Sequence, residues 1–483
     1  MQMFQKIGLS VVLFFTLSIV LFFLAIKVID FNEYKPKIQK MIKEATGYEL
    51  AIKGDVTLSL TPVGVSILNV EVSNPCYQGE APFAQLGSFD VAIEIAPLLR
   101  KEVKIKYIAL ENLTLLIEKS TDGKFNFEIS PSKASLEKKQ NETNSSVSKE
   151  SNLPLVNVKK IKFEDANIQY IDNQTKRQLT LENIDLSIND INYDSLKSKL
   201  QALSFKAEST IEKAKYDKYV IKDIAMNFDM KESLAVIENL KYTIFDSAIQ
   251  GKGKVDLSGK SPNVSIKHKI TDLKLANLSK EIFGEPFLEG SANGDLKLSF
   301  VLGDMPTIKS TLGGFIQLFA ENVTVKGYDV DKLLSTFDGS QKNPKEANVA
   351  SALFGSLESF KGGNSVLKQI NTKVDIGYSE MKLSDVALST NRHRAALSGA
   401  LQIIDEKILD VKVALLDAKG CSTFEQTVVG TFDKPALKLD EKAFNALANV
   451  ALSLLGKSKG AQNPPKAPDD TCIPFYEGVV KHP

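Results

Sequence analysis

Residues 54–68 read GDVTLSLTPVGVSIL, and this stretch decides the fold. Val56, Leu58 and Leu60 alternate with Thr57 and Ser59, a Pro62–Gly64 turn follows, and Val65, Ile67 and Leu68 begin a second apolar set. Successive side chains of a strand point to opposite faces, so this spacing predicts strands with one apolar and one polar face. Val91, Ile93 and Ile95 alternate in the same way with Ala92 and Glu94, and Val103, Ile105 and Tyr107 with Lys104 and Lys106.

The period continues downstream. Strands are predicted at 156–163, 166–171, 179–188, 219–228, 235–240, 243–257, 263–275, 289–302, 308–325, 369–376, 381–390, 395–404 and 408–416. Charges decorate the polar face, as in DLKLSF at 295–300 and DVKVALL at 410–416. The expected class is mainly β: an elongated, curved, groove-like antiparallel sheet body with a few short covering helices.

Upstream, IGLSVVLFFTLSIVLFFLAI runs from Ile7 to Ile26 without a charge. At 1.5 Å per residue such a run forms a helix of about 30 Å, the thickness of a bilayer's hydrocarbon. A cleaved secretory signal would carry a shorter apolar run and a small-residue cleavage site. Neither is present after Ala25, so an uncleaved transmembrane anchor is expected over 1–30. Lysines after the run argue weakly for a cytosolic body, since long domains translocate largely regardless of charge.

An amphipathic helix should follow, capped by Asn32, with Tyr34, Ile38, Met41, Ile42 and Ala45 on one side and Gly47 at its end. Further helical patches are read at 329–337, 346–360 and 441–456, the last with Phe444, Leu447, Val450 and Leu454 in a stripe suited to capping a sheet. The polar stretch 131–154 reads as a disordered linker and domain boundary between an N-terminal module (31–130) and a β-rich body (155–440). An irregular tail is expected over 457–483.

At 483 residues the chain exceeds one compact core, so several domains or something elongated is required. The net charge of +1 offers no field for nucleic acid. Three His, no CxxC and no nucleophile motif leave no catalytic residue, metal site or cofactor to nominate. Asp385, His393 and Asp405 lie near one another in sequence, but Asn391–Arg394 reads as a solvated turn, with Arg392 and Arg394 a surface charge cluster. Cys421 and Cys472 either pair in an oxidising compartment or are two unrelated buried thiols; the residues alone favour neither.

The segment FNEYKPKIQKMIKEATGYELAIKGDVTLSLTPVGVSILNVEVSNP, from Phe31 to Pro75, resembles the opening signature of the AsmA family. The resemblance continues through Pro97-Leu98-Leu99, the basic-flanked strand at 103–110 and Asp122-Gly123-Lys124-Phe125-Asn126. It is weaker at FLEGSANGDLKLSF, at LGGFIQLFAENVTVKGYDVDKLL and at Val428–Asp440.

The resemblance implies an inner-membrane anchor with the body in the periplasm. It also implies a β-groove similar to bridge-like lipid transfer proteins, supporting outer-membrane biogenesis. That placement favours the Cys421–Cys472 pairing. The implied partners are membrane lipids, phospholipid or lipopolysaccharide, together with outer-membrane assembly proteins. Groove-lining candidates are Val103, Ile105, Tyr107, Leu296, Leu298, Phe300, Val411 and Val413. On the residues alone these would pack an ordinary closed core; only the resemblance favours the groove. The alternative is a scaffold or assembly factor for outer-membrane protein insertion, without a lipid conduit.

Overall fold

The structure, a computed structural model, describes residues 30–60, 62–75, 82–98, 100, 104–128, 158–194, 199–335, 361–438 and 472–483. Among them the chain is mainly β, with 22 strands and few helices. It divides into two compact units, 1–231 and 232–483. The expected anchor at Ile7–Ile26 lies outside the described residues, and no described helix is long and apolar enough to cross a membrane.

In the first unit, a 3₁₀ turn (Phe31–Tyr34) runs into α1 (Lys35–Thr46), which ends at Gly47 with φ 80°. Asp30, not Asn32, caps the turn by accepting from the Asn32 amide. The Asn32 side chain instead accepts from the Val56 amide at 3.0 Å, and Gln39 donates to the Leu50 carbonyl at 2.8 Å. Backbone groups on the first strands' outer edge therefore find partners in the helical segment, which blunts that edge.

The strands are β1 (Glu49–Ile52), β2 (Val56–Leu60), β3 (Val63–Ser73), β4 (Ala84–Ile93), β5 (Ile105–Glu111), β6 (Thr114–Lys119), β7 (Lys160–Asp172), β8 (Arg177–Tyr193), β9 (Leu203–Tyr216) and β10 (Tyr219–Lys231). β1 and β2 lie end to end against β3. β4 follows, then β5 and β6 end to end, then β7 to β10 in order.

One feature departs from the expected all-antiparallel sheet: β7 runs parallel to both β5 and β6. A parallel pair needs a long crossover, and the chain between Lys119 and Lys160 supplies it. The predicted linker at 131–154 falls within that connection, outside the described residues. Strands on its two sides are hydrogen-bonded directly, so the sheet continues across it, and the division between units comes at 231/232.

A line of left-handed residues crosses this unit: Asn69 on β3, Asn112 between β5 and β6, Asp165 on β7, Asn183 on β8 and Asp223 on β10, with φ from 50° to 54°. They lie in line across the sheet, with Gly87 of β4 between the first two and Glu212 of β9 between the last two. A Cβ on Gly87 of β4 would come within 3.0 Å of Asn112 Cβ. The Asn112 amide donates to the Glu164 carbonyl (2.9 Å), the Asp165 amide to Asp185 Oδ1 (3.1 Å) and the Asn183 amide to Asn167 Oδ1 (3.1 Å). Asx residues tolerate this conformation because their short side chains bond locally, and each such irregularity bends its strand.

The second unit contains β11 (Leu234–Ile244), β12 (Ser247–Asp256), β13 (Asn263–Lys274), β14 (Leu288–Glu289), β15 (Ser291–Val301), β16 (Gly313–Tyr328), β17 (Lys361–Gly377), β18 (Glu380–Ser389), β19 (Arg394–Gln402), β20 (Lys407–Leu416), β21 (Ser422–Thr431) and β22 (Pro435–Lys438). All the pairings are antiparallel and follow chain order, with β14 lying alongside β15's end against β16. The single strand predicted at 243–257 is broken by a turn at Phe245–Asp246, both at positive φ. The strand predicted at 308–325 begins as a helix, α3 (Met305–Thr311), because Asp304 caps it through the Thr307 amide (2.9 Å) and Pro306 occupies its first turn.

α2 (Leu275–Phe283) packs Leu275 and Leu278 with Leu273, Ala292, Ala320 and Val323. A helical turn at 330–335 sets Leu334 on Ala395 and Leu415. The helical patches predicted at 346–360 and 441–456 lie outside the described residues.

Candidate functional site

The strand register assembles apolar faces far wider than any one strand. In the second unit, residues paired directly across the sheet form the row Ile237–Gly253–Ile266–Leu298–Gly314, continuing Ile376–Met381–Leu401–Ile408–Gly430. Ten strands contribute and none contributes a polar side chain. Directly paired residues share a face, so this is one continuous apolar surface. A second row begins Gly251–His268–Leu296–Ile316–Val374–Leu383. The opposite face carries Lys267, Asp295, Lys297 and Lys373.

The first unit repeats the arrangement. Val56, Ile67, Phe89, Leu110, Phe163 and Leu186 pair in succession, as do Leu58, Val65, Val91, Ile108, Ile161 and Ile188.

These side chains are not sealed in a core. Ile266, Leu298, Met381, Leu401 and Ile408 are all half-buried. α2 and the 330–335 turn cover one end of the second unit's face, burying Leu273, Ala292, Ala320, Ala395 and Leu415, while Ile376 and Val411 are buried elsewhere on it. In the row through Leu298, Ile376 alone among the large side chains is buried to that degree.

Of the candidates named from sequence, Leu296, Leu298 and Phe300 lie on this face through β15, and Val411 and Val413 through β20. The row Val413–Leu397–Val386–Thr372–Leu318–Gly294 links the two sets. Val103 lies outside the described residues. Ile105 and Tyr107 part company: Ile105 pairs with Ile93 and Tyr107 with Ala92, with a register shift between them. Consecutive residues of β4 face opposite ways, so Ile105 joins Val91 and Ile93 on the apolar face, and Tyr107 lies on the other.

His268 is the residue that sequence reading passed over. It occupies an apolar-face position in the alternation Val264, Ile266, His268, Ile270, and that alternation was the signal that could have found it. It is 6% exposed, and its Nδ1 lies 2.8 Å from the Tyr242 hydroxyl. Its Nε2 is buried without a hydrogen-bond partner among the described residues. The ring rests on Gly251, where a Cβ would come 1.9 Å from Cδ2; only glycine leaves this space. Burial holds the His268 pKa below its ordinary value and pushes the Tyr242 hydroxyl up to about 12.

The opposite face of the same unit is clamped by residues 472–483. Cys472 is disulfide-bonded to Cys421, with Cα atoms 6.2 Å apart. Tyr476 and Val480 pack on Ala387, Ala396, Ala414 and Leu416. The Tyr476 hydroxyl donates to Asp385 Oδ1 at 2.5 Å, and burial together with that carboxylate raises its pKa. Arg394 is not on the surface: it is 7% exposed and donates to the Asp417 (2.7 Å) and Val480 (3.4 Å) carbonyls.

Asp385, His393 and Asp405 are not brought together. Asp385 accepts from Tyr476, His393 Nδ1 lies 2.9 Å from Asp331, and Asp405 lies 3.2 Å from the Lys407 amine. Burial pushes the Asp331 carboxyl up, but hydrogen bonds from Thr390 and His393 outweigh it and leave its pKa below the usual range. No group of three metal-ligating side chains occurs among the described residues.

No curated protein matches this chain. The model of the AsmA family matches it over residues 1–209 and again over 205–366. With matches across most of its length and strands throughout, the chain belongs to the AsmA family.

Proposed function

We propose that the apolar faces of the two units hold the acyl chains of membrane lipids, and that the protein binds or transfers lipid in support of outer-membrane biogenesis. In this reading residues 7–26 anchor the chain in the inner membrane and the β-body lies in the periplasm. The protein acts by binding rather than by catalysis.

One observation carries the reading: an apolar row crosses ten strands of the second unit while all but one of its large side chains, Ile376, stay half-buried. A closed core would bury them. An acyl chain leaving a bilayer exposes its methylenes at a cost of about 0.8 kcal/mol each, and an accessible apolar surface offsets that cost. The charged opposite face keeps the sheet in water.

The test is a photocrosslinking residue placed in the full-length protein in cells, at Leu298 or Leu401 and, as control, at Ser299 on the other face. Lipid adducts at 298 and 401 but not at 299 are expected. Protein adducts without lipid at those positions would instead support the assembly-factor reading, and equal labelling at all three positions would sink the proposal.

A further inference from the structure

The connections β15–β16, β17–β18, β19–β20 and β21–β22 all leave from one end of the second unit's sheet. The pairings Ser299–Gly313, Gly377–Glu380, Gln402–Lys407 and Gly430–Pro435 close the four hairpins, and Gly314–Ile376, Glu380–Gln402 and Lys407–Thr431 set them side by side. Each hairpin presents large apolar side chains to solvent at its tip: Leu302 and Met305, then Tyr378, Ile404 and Phe432. Tyr378 is fully exposed, at 101%.

Tyr378 is also conformationally costly. It and Ser379 form a two-residue turn at φ 53° and 64°. Such turns favour Asn and Gly, and a bulky side chain at positive φ is an outlier. Among the described residues no internal contact explains a tyrosine there, and strain retained without a packing reason points to function.

Successive tips are two strand spacings apart, about 10 Å. Polar and charged residues separate them, with Asp304, Asp405, Glu406 and Asp433 against Lys309, Lys407 and Lys434. A specific protein interface needs a contiguous packed core within about 800 Å² per partner. Isolated side chains at this spacing supply no such core. Each can partition separately into a bilayer interface, where tyrosine and aliphatic side chains are at home. The two signs are nearly balanced and partly paired with each other, so ionic attraction to anionic headgroups is weak.

We propose that this row of hairpin tips docks on a lipid bilayer, inserting Leu302, Met305, Tyr378, Ile404 and Phe432 at interfacial depth through apolar rather than ionic contacts. This row of tips borders the acyl-chain face, but the proposal rests on the exposure of the tips themselves and stands without that reading.

The chain contains no tryptophan, so Tyr378→Trp, Phe432→Trp and Arg392→Trp each create a single-reporter full-length protein. Arg392 lies in the β18–β19 turn, at the other end of the strands. The proteins are reconstituted in phosphatidylcholine vesicles carrying brominated acyl chains. Quenching at 378 and 432 should exceed that at 392 by about threefold or more and should not fall as salt is raised. Ile404→Asp in the Tyr378→Trp background should reduce it. Equal quenching at all three sites, none at 378 and 432, or release by salt would overturn the proposal. The acyl-chain reading is scored separately by lipid crosslinking at Leu298 in a Tyr378→Asp/Phe432→Asp protein, which should be unaffected. A second readout comes from Tyr378→Asn, which should raise the thermal midpoint by relieving the turn while lowering vesicle contact in the Phe432→Trp reporter. A lowered midpoint would mean that Tyr378 serves the fold instead.

Discussion

The Tyr242 hydroxyl lies 2.8 Å from His268 Nδ1, on an otherwise apolar sheet face, with the imidazole's other nitrogen unpartnered. Protonation would place a charge where nothing solvates it, so the folded state holds the ring neutral and its pKa below the unfolded value near 6.5. The unfolded chain therefore binds the proton first. Stability from this site is complete above the unfolded pKa and declines as pH falls through and below it. Thermal midpoints measured from pH 7.5 down to pH 5 should drop more steeply for the wild-type protein than for His268→Leu. Parallel curves would remove His268 from the pH response.

Gly251 sets the position of that ring. A methyl group there would overlap His268 Cδ2 at 1.9 Å, and the adjacent Lys267 carbonyl at 2.8 Å leaves little room to shift. Gly251→Ala should destabilise by about 1–3 kcal/mol through overpacking. His268→Ala empties the space, so the double variant should be more stable than the sum of the single effects predicts. Strict additivity in chemical denaturation would show that the clash is relieved elsewhere.

Much of the sheet was legible in the sequence because alternation is a local property. That Leu296, Leu298 and Phe300 share one face was legible from spacing, since β15 keeps its register on both sides along that stretch. Tyr107 did not, because the register shift that separates it from Ile105 depends on how β4 pairs. β9 escaped notice because Lys206, Glu208, Glu212 and Lys213 dilute the apolar signal of Phe205, Ala207 and Ile211. α2 is nine residues long and has no side-chain N-cap, so it lacks the usual start signal. Arg394 looked like a surface cation because the carbonyl that helps bury it, that of Val480, is 86 residues away. Long-range covers and bulges are tertiary facts, and no window of sequence contains them.

The left-handed Asx residues should tolerate only substitutions that accept positive φ. Asp272, at 56°, marks the extra residue on β13 between the pairs Ile270–Gly294 and Leu273–Ala292, and its amide donates to Asn293 Oδ1 at 3.0 Å. Asp272→Gly or Asp272→Asn should be nearly neutral. Asp272→Val should cost about 1–3 kcal/mol, because a β-branched side chain is disfavoured at positive φ. Equal denaturation midpoints for the valine and glycine variants would show that the bulge relaxes without cost.

The C-terminal clamp ties the end of the chain to the polar side of the second sheet, and two of its elements can be separated by experiment. Tyr476 fills a surface made of alanines, where Ala414 is 0% and Ala396 2% exposed, so Tyr476→Ala loses packing that no neighbouring side chain can replace. A loss of about 3–5 kcal/mol is expected, as for other buried aromatic truncations. Tyr476→Phe keeps the ring and removes only the hydrogen bonds to Asp385 and from the Val480 amide, for a loss of about 1–3 kcal/mol. Cys472→Ser releases the tether across a 51-residue separation and should cost about 2–4 kcal/mol by loosening the unfolded-chain constraint. The clamp predicts a further result for hydrogen exchange. In the tether variant, amides at 476–480 should exchange much faster while those of β15 and β16 keep their protection, because the clamp covers β18 to β20 and leaves the Leu298 row untouched. Uniform loss of protection across the unit would mean that the clamp is part of the fold's cooperative core rather than a cover laid on a sheet already formed.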